Sequence, residues 1–343
     1  MASRHISRVV LGLLLAAALA GGILAWRESR PKVARDRGDS STVPELRFCT
    51  NPGATTPQLP IWSAVRADAA GKTVRLKIET WRQPVQLQTA LLAGEGDLWL
   101  GHIDGIARAR AAGAPVVLLA VTGWRKMSVV SYDAKVSTPR DLLGRALPYA
   151  PKGSPAVALL RSLLGADADR VLFEPRAPKQ LALLLTQRQV DSALLPEPLV
   201  STLLGKLPDL RLAFDLEDAY GAHRQGPARI PWAGLAAHER VLREHPERLA
   251  ALIAAMKEAA TRLCADLDAA PTCLPKEFAA AVPRAALRAS LDRDLILVKS
   301  ADEVRDEIRA YLELAIPDAF TGQASWFDHG FLWRRESRAQ ALE

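Results

Sequence analysis

The chain has 343 residues, 49% of them hydrophobic and 24% charged, which suits two lobes and excludes intrinsically disordered, collagen-like and disulfide-knot classes. The net charge of +7 is uneven, because the first 40 residues hold seven basic and three acidic residues and the rest is nearly balanced. A nucleic-acid binder keeps its basic excess on the folded body, so we expect no nucleic-acid partner.

The N-terminus is typical of a targeting segment. A basic start precedes an apolar run over residues 9–26, and residues 18–20 form a small-residue cleavage site. The run also reaches the lower limit for an uncleaved membrane anchor. We therefore predict a signal peptide or membrane anchor over residues 1–26 and a linker over residues 27–44. The expected location is periplasmic or otherwise extracytoplasmic, either free or anchored to the inner membrane.

Strand-like and helix-like hydrophobic periods then alternate along the chain. Strands are predicted at residues 46–50, 74–80, 97–101 and 116–122, and again at 127–132, 146–150, 171–174, 191–195 and 210–214. Helices are predicted from Pro60 and over residues 85–93, 103–112, 156–164 and 179–187. This recurrence implies mostly parallel sheets covered by helices. From residue 238 the pattern is nearly all helical, with helices at 246–267, 283–291 and 301–314.

Three cysteines are present. Cys49 lies inside an apolar strand and is expected to be a small core residue. Cys264 and Cys273 stand nine residues apart around a proline turn, and in an oxidising compartment we expect them to form a disulfide. The alternative is a pair of unrelated buried thiols.

Five short motifs follow one another in the body of the chain. They are Leu91-Leu92-Ala93-Gly94 with Asp97 and Gly101, Ala111-Ala112-Gly113-Ala114-Pro115-Val116, Thr138-Pro139 with Asp141-Leu142 and Gly144, Gly153-Ser154-Pro155, and Asp191 and Ala193 with Pro196-Glu197-Pro198. In their order and spacing, from about residue 45 to residue 265, the chain resembles the solute-binding proteins of bacterial ABC importers in the nitrate/sulfonate/taurine-binding family.

The resemblance implies a two-lobe α/β fold of the periplasmic-binding-protein type, with two crossovers, near residues 121–126 and 225–232, and a helical C-terminal tail. The first lobe would comprise residues 45–123 and 230–343, and the second lobe residues 124–229. A small ligand would be clamped between the lobes, which would close around it.

In such folds ligands bind beyond the carboxyl ends of the strands. Loops at these positions make seven residues candidate ligand contacts: Asn51, Thr55, Thr56, His102, Gly153, Ser154 and Glu197. Tryptophans at a strand end or a crossover are candidate cleft walls: Trp81, Trp124 and Trp232. For each residue the alternative is an ordinary structural role, in the core, in a helix cap or at the solvated surface.

The sequence carries none of the common short motifs of catalysis, such as GxSxG, a P-loop, HExxH or CxxC. His102 and Asp104 lack a third metal ligand at suitable spacing. We therefore expect neither catalytic residues, nor a cofactor, nor a metal. The predicted function is delivery of a small anionic or polar organic solute, such as a sulfonate, nitrate, taurine or a thiamine precursor, by a monomer to an ABC transporter permease. Two alternatives remain, an enzyme on the same fold and a membrane-tethered sensor domain.

Overall fold

The computed structural model describes residues 43–53, 55–68, 73–279, 282–320 and 325–334. The predicted signal peptide or anchor, and the predicted linker as far as residue 42, lie outside these ranges. Within the described ranges, no helix has both the length and the apolar composition that a membrane span requires.

Strands and helices alternate as the hydrophobic periodicity predicts. The strands are β1 (Glu45–Thr50), β2 (Arg75–Thr80), β3 (Leu98–His102), β4 (Val116–Gly123), β5 (Met127–Ser131), β6 (Ala146–Tyr149), β7 (Leu172–Pro175), β8 (Ser192–Pro196), β9 (Arg211–Asp215), β10 (Ala233–His238) and β11 (Lys299–Ser300). The helices are α1 (Thr55–Ala67), α2 (Pro84–Ala93), α3 (Ile103–Ala111), α4 (Pro155–Leu164), α5 (Pro178–Thr186), α6 (Leu199–Leu204), α7 (Leu216–Arg224), α8 (Glu239–Glu244), α9 (Pro246–Ala265), α10 (Lys276–Ala279), α11 (Arg284–Leu291), α12 (Arg305–Ala315) and α13 (Ser325–Asp328).

The first lobe is built on a sheet with the strand order β11-β4-β10-β3-β1-β2. Strand β1 pairs in parallel with β2 and β3, whereas β10 is antiparallel to both β3 and β4. Strand β4 therefore runs in the same direction as β1, β2 and β3. Every residue of β4 is buried, which explains why its sequence is a nearly continuous apolar run.

The second lobe is built on a sheet with the order β7-β6-β8-β5-β9. Strand β6 is parallel to β7 and β8, and β5 is antiparallel to β8 and β9. The chain enters this sheet after β4 and returns to the first sheet before β10. The predicted two-lobe α/β fold with two crossovers is confirmed.

The core consists of three groups of buried side chains. One covers a face of the first sheet, where the rings of Phe48 and Trp62 meet edge to face at 5.5 Å. A second covers the outer face of the second sheet. The third is continuous from one lobe to the other and includes Ile103, Leu159 and Tyr311. The two lobes thus share apolar contacts as well as the crossovers.

The C-terminal tail, residues 239–334, contacts both lobes. Strand β11 joins the first sheet, and helix α9 packs against α1. Helix α11 packs against α1 of the first lobe and α6 of the second, while α12 packs against α3 of the first and α4 of the second. The tail therefore bridges the two lobes.

The predicted start of the first helix at Pro60 is wrong. The helix begins at Thr55 and contains Pro60. Pro57, not Pro60, occupies the first turn, where backbone N–H groups have no acceptor within the helix and a proline is tolerated.

The cysteines agree with prediction at one position only. Cys49 is buried in the core as expected, and burial raises the pKa of its thiol to about 12. Cys264 and Cys273 are free thiols in the structure and do not form the predicted disulfide. The Cys264 thiol points instead at the carbonyl of Ile296, 3.2 Å away, because the end of α9 faces the segment before β11.

Candidate functional site

Two crossover segments join the lobes and pair with each other. The first runs from β4 to β5 and the second from α7 to β10. The backbone N–H of Ile230 donates to the Trp124 carbonyl over 3.0 Å, and that of Trp232 donates to the Gly123 carbonyl over 2.9 Å. The connection is therefore a two-stranded ribbon, which we call the hinge.

Glu217, on α7, accepts hydrogen bonds from both segments of the hinge. Its Oε1 accepts the backbone N–H groups of Lys126 and Met127 over 2.7 and 3.1 Å, and the indole N–H of Trp232 over 2.6 Å. Burial raises the pKa of this carboxyl to about 7, and the donors oppose the rise. Because these three N–H groups already bind the Glu217 carboxylate, we assign it a structural role in the hinge.

The carboxyl ends of the main strands of both sheets point at the space between the lobes. Strand β4 ends at the hinge, and β1, β2 and β3 run parallel to it. Strand β5 begins at the hinge and is antiparallel to β8, so β8 and its parallel neighbour β6 end there. Side chains just beyond these strands form the candidate site.

Within the part of the chain that the structure describes, three first-lobe side chains at this edge have buried polar atoms without a hydrogen-bond partner. They are Nε1 of Trp81, Nδ1 of His102 and Oγ1 of Thr122. Gly101 makes room for this arrangement, since a Cβ there would overlap the Leu87 side chain and lie 3.5 Å from the Trp81 ring. Buried polar atoms are normally hydrogen-bonded, so these three atoms make this edge the candidate for a binding site.

Lys126, at the end of the first crossover, brings a positive charge to this edge. Its side chain is largely buried and forms no ion pair with another described residue. Burial lowers the pKa of Lys126, while the carboxylates of Asp294, Glu197 and Glu217 oppose this shift. The pKa of His102 is lowered by its own burial and further by the Lys126 charge, while the Asp104 carboxylate opposes the shift.

Asp294, between α11 and β11, supplies the opposite charge. Its Oδ1 accepts the backbone N–H of Leu295 over 2.8 Å, whereas its buried Oδ2 has no hydrogen-bond partner among the residues described. Burial raises the pKa of this carboxyl to about 6, and the Lys126 ammonium and the Thr56 hydroxyl oppose the rise. Lys126 and Asp294 each shift the pKa of the other, although their charged groups are not within ion-pair distance. We call the following set the interlobe cluster: Thr56, Trp81, His102, Thr122, Lys126 and Asp294.

Glu197 lies on the second-lobe side and is already paired. Its Oε1 accepts Nε of Arg293 over 2.9 Å, and its Oε2 accepts the backbone N–H and hydroxyl of Ser201 over 3.0 and 2.7 Å. Arg293 belongs to the tail, so this group, the Glu197–Arg293 latch, ties the tail to the second lobe. Glu197 was predicted to contact ligand, and here its carboxylate is occupied by the latch.

Of the remaining predicted ligand contacts, Ser154 lies at the site, whereas Gly153 and Asn51 belong to local turns and loops. Ser154 is buried immediately before α4, and its hydroxyl forms no hydrogen bond with another described residue. Gly153 precedes it with φ +77°, in an exposed turn. The amide of Asn51 is used within its own region, by Gly53 N–H and the Arg82 carbonyl.

Two of the predicted tryptophans, Trp124 and Trp232, form hydrogen bonds at or near the hinge. The indole N–H of Trp124 donates to the Leu297 carbonyl over 2.9 Å, and that of Trp232 to Glu217. Both rings are fully buried and support the hinge, and their role as cleft walls stays a prediction. Thr55 begins α1, and its side chain lies outside the part of the chain that the structure describes.

A groove of about 580 Å³ opens elsewhere, on the second lobe beside edge strand β9. It is lined by β9, α7 and residues 137–140, and by none of the predicted ligand contacts. In the described ranges, no group of three or more His, Cys, Asp or Glu side chains is arranged to hold a metal ion.

Sequence reasoning missed several residues of this region. Lys126 was visible as part of a basic pair at the first crossover, and Thr122 as the end of a buried strand. Asp294 and Arg293 gave no local signal, because they lie in an irregular segment of the tail. Only the fold brings them to the site.

The protein-family profile described as NMT1/THI5 like matches residues 70–270, which is more than half of the chain. No curated protein sequence matches the chain.

Solved structures with the same fold include the periplasmic aliphatic sulphonate binding protein SsuA from Escherichia coli, with a TM-score of 0.65 and 18% identity over 84% of this chain and 92% of that one. The alkanesulfonate-binding protein SsuA from Xanthomonas axonopodis pv. citri, bound to MOPS, has a TM-score of 0.61 and 18% identity over 85% and 98% of the two chains. The periplasmic nitrate-binding protein NrtA from Synechocystis PCC 6803 has a TM-score of 0.62 and 12% identity over 84% and 86%. All three are binding proteins.

Proposed function

The chain belongs to the NMT1/THI5-like family, and we propose that it is an extracytoplasmic solute-binding protein that delivers a small polar organic solute to an ABC importer. The observation that carries the proposal is the interlobe cluster. Counting only partners among the described residues, it combines a buried ammonium without an ion-pair partner and three buried polar atoms without hydrogen-bond partners at the carboxyl ends of the strands. Such atoms are costly to bury alone, and a bound solute would satisfy them.

The solute would bind first through an oxyanion at Lys126. His102, Thr122 and Trp81 would add hydrogen bonds from the first lobe. From the second lobe, the Ser154 hydroxyl and the N-terminus of α4 would contribute polar groups, since helix N-termini favour negative charge. Contacts from both lobes would be made together only in the closed state, so binding would favour closure.

The partner would be a permease of the inner membrane, and the protein would act as a monomer. The sulfonate- and nitrate-binding neighbours support a transport role over an enzymatic one.

The test begins with a thermal-shift screen of the mature protein against sulfonates, nitrate, carboxylates and thiamine precursors. We expect at least one compound to raise the unfolding temperature and to reduce the radius of gyration in small-angle scattering. A screen in which no compound stabilises the protein, or in which the binder leaves the radius of gyration unchanged, would contradict the proposal.

A further inference from the structure

Helix α12 of the tail contacts the hinge through two side chains. Glu307 and Tyr311 are four residues apart and therefore lie on the same face of the helix. The Glu307 carboxylate accepts Nε and Nη2 of Arg229 over 2.8 and 2.6 Å, in a bidentate ion pair. The Tyr311 ring meets the Trp232 ring edge to face at 5.5 Å. Both partners belong to the second crossover, so one face of α12 supports that segment of the hinge.

The tail also contacts the first crossover. The Arg229 guanidinium lies over the Trp124 ring, 4.9 Å from its centroid, and the Trp124 indole N–H donates to the carbonyl of Leu297. Arg229 therefore touches both crossovers and α12 at once. We call the following set the hinge brace: Trp124, Arg229, Trp232, Leu297, Glu307 and Tyr311.

Both lobes hold helix α12 in place. The helix packs against α3 of the first lobe and α4 of the second, and the Tyr311 hydroxyl donates to Asp104 of α3 over 3.3 Å. Rotation of the lobes about the hinge changes the path of the two crossovers, whereas α12 stays a rigid helix. The two short hydrogen bonds of the Arg229–Glu307 pair tolerate little displacement, so the hinge brace fits one arrangement of the lobes better than others.

The lobes are closed in this structure. Trp81, beyond β2 of the first lobe, and Ser154, ahead of α4 of the second, are each only 8% exposed, so the polar edges of both lobes are shielded from solvent. One apolar core also continues from the first lobe into the second. The hinge brace is therefore complete in the closed arrangement.

We propose that the hinge brace stabilises the closed arrangement and thereby raises the affinity for solute without contacting it. The effect on affinity rests on the proposed function, whereas the effect on the lobes does not. A solute that needs the closed state binds with an apparent affinity scaled by the fraction of molecules already closed. The Arg229–Glu307 pair is bidentate and partly buried, and its presence in the closed state should favour that state about three- to tenfold.

The first test measures the distance between the lobes without solute. Spin labels at the exposed positions Thr89→Cys in α2 and Lys179→Cys in α5 place one label on each lobe for double electron–electron resonance. The mature protein carries Cys264→Ser and Cys273→Ser as well, so that the labels attach only at the two chosen positions. Cys49 is buried and needs no replacement.

Glu307→Ala and Arg229→Gln should each shift the distances towards longer values and lower the ratio of closed to open molecules about three- to tenfold. The double variant should do little more than Arg229→Gln alone, because both changes remove the same pair. Glu313→Ala, on the same helix in an exposed pair with Arg309, should match the wild type. Unchanged distances in both Glu307→Ala and Arg229→Gln overturn the inference, whatever their unfolding temperatures.

The second test is calorimetric titration with ethanesulfonate, or with the tightest compound of the thermal-shift screen if ethanesulfonate does not bind. The loss of affinity in Glu307→Ala should equal the fall in its closed fraction, and saturating compound should restore the wild-type distance. Wild-type affinity in a variant whose closed fraction has fallen overturns the effect on affinity. A screen without any binder contradicts the proposed function, while the distance measurement still decides whether the hinge brace holds the lobes closed.

Discussion

The indole N–H of Trp232 donates to Glu217 over 2.6 Å, and so joins the second crossover to the same carboxylate oxygen that accepts two backbone N–H groups from the first. One oxygen atom therefore holds both connections between the lobes. Because this carboxylate is fully buried, its ionisation links the stability of the hinge to pH.

We predict that stability falls as the pH rises through the pKa of Glu217. The folded-state pKa of about 7 lies above the ordinary 4.5, so the folded protein binds this proton more tightly than the unfolded chain. The contribution is fully present below pH 4.5, declines as the pH rises and is lost above pH 7. Its size is about 3 kcal/mol.

Glu217→Gln keeps an acceptor for the three donors and removes this ionisation. In urea unfolding between pH 5 and pH 8, we expect the variant to gain stability relative to the wild type as pH rises, by about 2.5 kcal/mol over the range. Glu258→Gln, at an exposed position, serves as the control and should give curves parallel to the wild type. Parallel curves for Glu217→Gln would contradict the prediction.

The Glu197–Arg293 latch should be important for stability. Arg293→Met leaves a carboxylate buried without its cation, and we expect the free energy of unfolding to fall by about 3 kcal/mol. Adding Glu197→Gln should recover part of the loss, because the unpaired charge disappears. Arg262→Met, which removes only a long surface contact, should change stability by less than about 1 kcal/mol. Additive effects of Arg293→Met and Glu197→Gln would show that the two side chains do not act as a pair.

Trp81 and Ser154 should both affect binding but differ in their effect on stability. Replacing either by alanine should weaken solute binding by about 1–3 kcal/mol, through a lost packed ring or a lost hydrogen bond. Without solute, Trp81→Ala should lower the unfolding temperature more than Ser154→Ala, because Trp81 packs in the core and the Ser154 hydroxyl has no hydrogen bond to another described residue. Titration calorimetry and thermal unfolding of both variants test this, and wild-type affinity in both would place the site elsewhere.

The order of strands and helices could be predicted because each element buries one face and its hydrophobic period is local. Strand β4 and helix α9 are examples, with boundaries within two residues of those predicted. Helices α6 and α7 were not predicted, since α6 is short and α7 carries a mixed sequence. Glu217, the central residue of the hinge, lies on the latter.

Site residues that directly follow strands could be predicted from the sequence. Site residues in the C-terminal tail could not. Trp81, His102 and Ser154 follow strands directly, so topology alone places them at the interlobe edge. Asp294 and Arg293 reach that edge through the packing of α11 between the lobes, a long-range contact without a sequence pattern. The disulfide prediction failed for a related reason, because spacing along the chain does not fix the direction of a side chain.

The most direct measurement is titration calorimetry of Lys126→Met with the tightest solute from the screen. Affinity should fall by roughly 10- to 100-fold, because a charge-assisted bond to the oxyanion is lost. The unfolding temperature without solute should not fall, because the variant removes a buried ammonium that forms no ion pair within the described ranges. Lys135→Met, at an exposed position, should bind like the wild type. Wild-type affinity in Lys126→Met would contradict a solute site at the interlobe cluster.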